Sequence, residues 1–146
     1  MYSIGEISKR FNLPISTIRY YDKEGLLLNI KRDSNGLRKF DEKDAASIRV
    51  IECLKKSGMQ IKDIKVFMKW CNAGDSTLEN RKAMFYKRKE DVEKQMIELQ
   101  KVLDFVNYKC WYYETACKEK TEKRLKNINI QDIPENIREL YMKSHS

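Results

Sequence analysis

Residues 17–27 read TIRYYDKEGLL, with two adjacent tyrosines inside what should be a short helix. Side chains one residue apart on a helix diverge by about 100°, so Tyr20 and Tyr21 cannot share a buried face. One is expected outside and the other inside, with Gly25 turning the chain where the helix ends. Upstream, Ser3 and Glu6 form the S-x-x-E pattern of a capping box, which opens a helix carrying Ile4, Ile7 and Phe11. Pro14 restricts Leu13 and stops that helix near Asn12. A second helix starts at Ser16, turns Ile18 and Tyr21 inward, and ends near Glu24. Two short helices joined by about four residues read as a helix-turn-helix over residues 4–24.

Downstream, Asn29–Arg32 and Leu37–Phe40 flank Asp33-Ser34-Asn35-Gly36. Asn-Gly is a hairpin signal because both residues tolerate positive φ. A basic wing over residues 26–40 is therefore expected, carrying Lys31, Arg32, Arg38 and Lys39. Asp41 caps a third helix, Glu42 to Lys56, with Ala45, Ile48, Ile51 and Leu54 as its buried stripe and Gly58 at its end. A fourth runs from Gln60 to Trp70 with Ile61, Ile64, Val66, Phe67 and Trp70 mostly inward. The sequence then breaks at Asn72–Asp75, and Ser76-Thr77 can cap the next helix.

From Leu78 neither Gly nor Pro appears until Pro134. Phe85, Val92, Leu99, Val106 and Tyr113 recur every seven residues, and so do Met96, Leu103, Cys110 and Cys117. The two rows alternate at three and four, as in a coiled-coil seam. A lone helix cannot bury such a stripe, and a second copy of the chain is the simplest partner. Trp111-Tyr112-Tyr113 is expected to close the seam. The expected organisation is a mainly α chain: a winged helix-turn-helix domain over residues 1–71, a long antiparallel coiled-coil dimerisation helix over 76–117, and a tail over 118–146. The KEKTEKRLK run in that tail reads as polar, and a short helix from Pro134 to Met142 folds back as a cap.

Charge is uneven. Residues 1–70 hold 15 Lys or Arg against 9 Asp or Glu, and residues 71–146 hold 15 against 13. A basic first half suits a polyanion such as nucleic acid. The chain has no apolar run long enough to span a membrane, and MYSIGEISKRF lacks the apolar core of a signal peptide, so a cytoplasmic location is expected. The four cysteines, Cys53, Cys71, Cys110 and Cys117, form no C-x-x-C, and the one histidine, His145, lies in the tail. No zinc finger is expected, and in a reducing compartment all four are free thiols. Nucleophile–base pairs, metal clusters and phosphate-binding glycine loops are all lacking, which argues against an enzyme.

The order of helix-turn-helix, basic wing, two helices and long helix resembles the MerR family of bacterial transcriptional regulators. YSIGEISKRFNLPISTIRYYDKEGLL and NGLRKFDEKDAASIRVIECLKKSGMQIKDIK carry the resemblance, which extends to about residue 113. ECLKKSGM and NYKCWYYE resemble a subgroup that includes aldehyde- and nitrosative-stress regulators. The resemblance implies that the second helix enters the major groove, with Arg19 on a base or phosphate, Tyr20 outward on the DNA backbone, and Tyr21 packed against the wing. Ser16 and Thr17 lie where phosphates or bases approach, and Arg38 and Lys39 grip phosphates. The family usually has Tyr where Leu37 and Phe40 stand, so wing hydrogen bonds fall mostly to Arg38 and Lys39. The implied partners are double-stranded promoter DNA bearing an inverted repeat, a second copy of the chain, and RNA polymerase on the bound promoter. Effector-bound dimers of this family bend and untwist a promoter with an overlong spacer.

Three effectors compete. A metal needs a ligand cluster, but Cys110 and Cys117 fall on the seam and Cys71 precedes the long helix, so neither metal nor other cofactor is expected. A bound organic molecule would have the 29 residues after Cys117, or a pocket near Trp111 and Tyr112. The third is thiol chemistry at Cys53, flanked by Arg49 at i−4 and Lys56 at i+3, cations of the kind that raise a thiolate fraction. Cys53 also borders the buried stripe of its helix, so simple packing is the alternative. A sequence-indifferent DNA-binding scaffold protein is the rival from another class.

Overall fold

The computed structural model describes residues 1–146 and divides into two compact units, Met1–Asp91 and Val92–Ser146. In the first, β1 (Tyr2–Ser3) leads into α1 (Ile4–Phe11), α2 (Ile15–Lys23), β2 (Lys31–Arg32), β3 (Arg38–Phe40), α3 (Glu42–Lys56) and α4 (Ile61–Ala73). A 3-10 turn, Asp75–Thr77, then opens α5 (Leu78–Glu119). The second unit comprises the later part of α5 together with α6 (Lys123–Lys126) and α7 (Glu135–Ser144).

The start of α1 is capped as its sequence dictates: Ser3 Oγ accepts from the Glu6 backbone N–H at 3.1 Å. Asn12 ends the helix in the left-handed region, its N–H donating to the Lys9 carbonyl at 3.3 Å. The following helix begins one residue before Ser16, with Pro14 at its cap, where a missing N–H costs nothing. At α3, Asp41 and Asp44 form a reciprocal capping box at 2.9 and 2.8 Å.

The wing differs from a two-residue hairpin. Among its turn residues only Gly36 has positive φ, at 77°, so Asn35 does not share that role. Asp33 organises the turn instead, its Oδ1 accepting from the N–H groups of Asn35 and Leu37 at 2.9 and 3.0 Å. The sheet also has a third strand that the pattern did not reveal. β1 pairs antiparallel with β3, Tyr2 opposite Phe40 and Ser3 opposite Lys39, giving the order β1-β3-β2. Two residues are too few to show a period.

Ile7, Ile18, Tyr21, Leu26 and Phe40 meet Ala45, Ile48, Ile51 and Leu54 in one core, and α4 closes it. α4 begins at Ile61 and runs three residues past Trp70 to Ala73, where Gly74 at φ 91° breaks it. It buries Ile64, Phe67 and Met68, whereas Val66, expected inward, is exposed. Thr77 does not accept from a helix N–H; its hydroxyl donates to the Trp70 and Gly74 carbonyls, and Arg81 donates to it.

In the second unit α5 uses two faces. Met96, Leu99, Leu103, Val106, Cys110, Tyr113 and Cys117 are exposed, as an unpaired seam should be, and Val92 is half-buried. Phe85, in the first unit, meets Phe67 edge-on at 5.4 Å. The expectation that Trp111, Tyr112 and Tyr113 together close the seam fails. Tyr108, Tyr112 and Ala116 face away from it and pack with Leu125 and Ile133, joined by Trp111, Ile137, Leu140 and Tyr141. Three consecutive helical residues cannot share one face. Nor is the KEKTEKRLK run wholly polar, because its Leu125 is buried in this cluster. The Tyr108 ring meets Tyr141 of α7 at 5.0 Å, so the tail itself occupies the place considered for a small-molecule pocket.

Ile48 is fully buried among both helix pairs of the first unit. Ile48→Ala should lower unfolding free energy by about 2–5 kcal/mol in a urea titration, without changing the number of folded species.

Candidate nucleic-acid interface

The recognition face is built on α2. Ile18 and Tyr21 point into the core, which leaves Ser16, Arg19 and Tyr20 exposed and Thr17 half-exposed. The two tyrosine rings lie 6.3 Å apart, one outside and one inside. Tyr21 does not spend its hydroxyl on the wing. It donates to the Glu52 carboxylate and accepts from Lys55 Nζ at 2.6 Å, both on α3. Burial first, and then the Glu52 carboxylate, push its phenol well above the ordinary value.

Beside α2 a cleft of about 130 Å³ is walled by Arg19, Arg32, Arg38 and Lys39, with Ser3 and Ile4 at its edge. Four cations from three elements, α2, β2 and β3, line it, which suits an anion. Within it Arg32 Nη1 donates to the Gly36 carbonyl at 2.7 Å and stiffens the turn. Arg38 Nε pairs with Asp22 Oδ2 of α2 at 2.7 Å, both side chains about one-fifth exposed. That bond ties the wing to the recognition helix, so Arg38 has a positioning role besides any phosphate contact. Lys31 lies apart. It lines a cavity of about 560 Å³ with Asp41, Lys43 and Asp44, and its ammonium lies near the capping-box carboxylates. Leu37, where the family usually has tyrosine, also lines the cleft beside α2 and is 62% exposed.

Sequence reasoning missed Asp22, Glu52 and Lys55 as supports of this face. Their partners lie 16, 31 and 34 residues away, so no local pattern announces them.

Cys53 is exposed, as are the other three cysteines, so nothing within the chain buries it. Its carbonyl accepts from Ser57 N–H at 3.0 Å in the last turn of α3. No three His, Cys, Asp or Glu side chains come together as a metal would require. A second cavity, of about 780 Å³, lies between α4 and the start of α5, with Met59, Val66, Trp70 and Met84 on its apolar wall. No helix is long and apolar enough to cross a membrane.

A recognition helix flanked by a basic wing, continuous with a three-stranded sheet, defines a winged helix-turn-helix DNA-binding protein. A family model described as MerR HTH family regulatory protein matches residues 2–70. An uncharacterised HTH-type transcriptional regulator of Haemophilus influenzae is 37% identical over 134 residues, which are 92% of this chain and 97% of that one. The crystal structure of HiNmlR, described as a MerR family regulator lacking the sensor domain and bound to promoter DNA, superposes with a TM-score of 0.77. It is 37% identical, over 84% of this chain and 97% of its own. A MerR family regulator from Bacillus thuringiensis gives 0.70 at 37% identity, over 75% of this chain and 96% of that one. The chain belongs to the MerR family of transcriptional regulators.

The raised phenol has a consequence at high pH. An acid whose folded pKa exceeds its unfolded value of 10.0 contributes stability that is complete below that value and is lost as pH rises through the folded one. Wild-type stability should therefore fall with pH above about 10. Tyr21→Phe should flatten that decline in denaturant titrations across the alkaline range.

Proposed function

We propose that the chain is a homodimeric promoter regulator. It binds an inverted repeat through α2 and the wing, remodels the DNA between the half-sites for RNA polymerase, and responds to a thiol-reactive aldehyde or a nitrosative or oxidative signal at Cys53. The observation that carries the DNA-binding part is the cleft in which Arg19 meets Arg32, Arg38 and Lys39, beside an exposed Tyr20. The wing cations of the cleft fit a backbone phosphate, while Arg19 and the exposed face of α2 are left for base edges. HiNmlR, at 37% identity, is bound to promoter DNA. The exposed double row from Met96 to Cys117 supports the dimer, since a contiguous apolar strip of this kind marks an interface. A two-fold dimer presents two recognition helices and so matches a repeat of inverted symmetry. Twisting or bending the DNA between half-sites has a sequence-dependent cost, and an effector acts by favouring one of two dimer geometries.

Cys53 supports the sensing part because its thiol is exposed near the end of α3, just before the turn into α4. Arg49 and Lys56 lie at i−4 and i+3 from it on the same helix. An adduct adds bulk at the junction of α3 and α4, and a small shift there is passed to the wing and the long helix.

Arg19→Ala should cost about 1–3 kcal/mol on the preferred site and relax specificity at one base pair. Lys39→Ala should weaken all sequences alike and flatten the salt dependence by about one unit. Leu99→Asp with Leu103→Asp should give a monomer by sedimentation, with weak binding to the full repeat. Losses identical on random and repeat DNA would favour the sequence-indifferent scaffold.

Cys53→Ser should bind promoter DNA as the wild type does, yet fail to change transcription when formaldehyde or an oxidant is added. Cys110→Ser and Cys117→Ser should respond normally, with some loss of dimer stability. A Cys53→Ser protein that still responds would remove the thiol sensor and turn attention to the cavity between α4 and α5.

A further inference from the structure

We infer that Glu52 and Lys55 of α3 are positioning residues for sequence reading: by holding the buried hydroxyl of Tyr21, they fix the angle at which α2 presents Arg19 and Tyr20. The inference rests on the DNA-reading function proposed for that face.

Tyr21 is 1% exposed, and packing alone would be served by phenylalanine. Its hydroxyl is nevertheless fully used, donating to Glu52 and accepting from Lys55 Nζ at 2.6 Å. Lys55 and Glu52 are themselves 3.6 Å apart, and the ammonium sits 5.2 Å from the centre of the Tyr21 ring. Each member of the trio therefore has both others as partners. A satisfied polar network of this kind admits one arrangement, whereas an apolar contact tolerates sliding.

The trio does not act alone on α2. The next residue, Asp22, is held by Arg38 of the wing at 2.7 Å. At Gly25, where φ is 79°, Lys65 of α4 lies so close that an added Cβ would sit 3.3 Å from its Cε. The end of α2 is thus gripped from α3 and from the wing, with Lys65 of α4 close behind the turn. Of the two grips, the α3 one holds the residue that directly follows Tyr20. A rotation of ~10° about a helix axis moves a side-chain tip by ~1 Å. That is enough to spoil a two-point hydrogen bond to a base edge while leaving a phosphate contact intact. Glu52 also directly precedes the exposed Cys53, so the pin belongs to the helix on which an adduct would form.

The test uses the full chain and an inverted-repeat duplex selected from random DNA with the wild type. Affinity for that duplex and for a random duplex of equal length is measured across salt, alongside thermal unfolding. Tyr21→Phe and Glu52→Ala should each reduce the preference for the selected duplex by about tenfold, leaving random-duplex affinity and its salt slope unchanged. The double variant should lose no more than Tyr21→Phe alone, because that change already removes the hydroxyl that Glu52 holds. Glu52→Gln, which keeps an acceptor for the hydroxyl, should recover most of the preference. If Tyr21→Phe does not fold, Glu52→Ala against Glu52→Gln gives the same readout. A lower melting midpoint with wild-type preference would make the trio merely structural and overturn the inference. A wild-type chain that selects no sequence at all would instead overturn the DNA-reading function.

Discussion

The structure depends on holding a helix that cannot hold itself. α2 has nine residues, fewer than an isolated helix needs in water. Its own sequence gives little help: Pro14 stands at its start without a side-chain cap, and β-branched Ile15, Thr17 and Ile18 fill its first turn. Two inward residues, Ile18 and Tyr21, supply almost all its attachment to the core. Every other element of the first unit can be understood by what it does for them. α1 packs beside α2, and α3 and α4 close the core beneath it. The wing reaches back to Asp22, and the two-residue strand at the N-terminus anchors the wing through β3.

The long helix solves a different problem with the same economy of faces. An amphipathic helix has one apolar stripe, but the later part of α5 carries two. One, at Tyr108, Tyr112 and Ala116, is covered by the chain's own tail. The other, at Leu99, Leu103, Val106 and Cys110, stays open. The division explains the aromatic wealth near Trp111. Tyr108 and Tyr112 have to meet α7 and Leu125 while Tyr113 stays on the open side, and Tyr112 keeps its hydroxyl satisfied by Glu122 at 3.1 Å. Covering one stripe in cis leaves the other exposed, and that open stripe is the one the proposed dimer would use.

Legibility in the sequence tracks the range of the forces. Caps at Ser3 and Asp41, the end of α1 at Asn12 and the buried stripe of α3 are decided within one or two turns, and they appear where the residues predict. The inside–outside split of Tyr20 and Tyr21 was also legible, because 100° per residue leaves no alternative. The hydroxyl partners of Tyr21 were not: α3 supplies them from 31 and 34 residues away. The Arg38–Asp22 bond was hidden for the same reason, and so was the second stripe on α5, which shows only when the tail is seen to fold back. At the candidate site, residue types could be read locally, whereas the convergence of Arg19 with Arg32, Arg38 and Lys39 is a product of tertiary structure.

That convergence frames how affinity and specificity divide on this surface. Cations gathered in one cleft repel one another, which lowers the stability of the free protein and is relieved when an anion enters. On the proposed reading such a cleft favours DNA of any sequence, with an attraction that weakens with salt. Asp22 moderates it by answering Arg38, so the wing is docked before DNA arrives and less order must be imposed on binding. Discrimination has to come from elsewhere, from an α2 surface whose orientation is rigid on the scale of a hydrogen bond. Apart from Arg19, the exposed face of α2, with Ser16, Thr17 and Tyr20, adds few charges of its own. Reading bases with such a face requires firm attachment underneath, and Ile18 in the core with the Tyr21 hydroxyl on α3 supplies it.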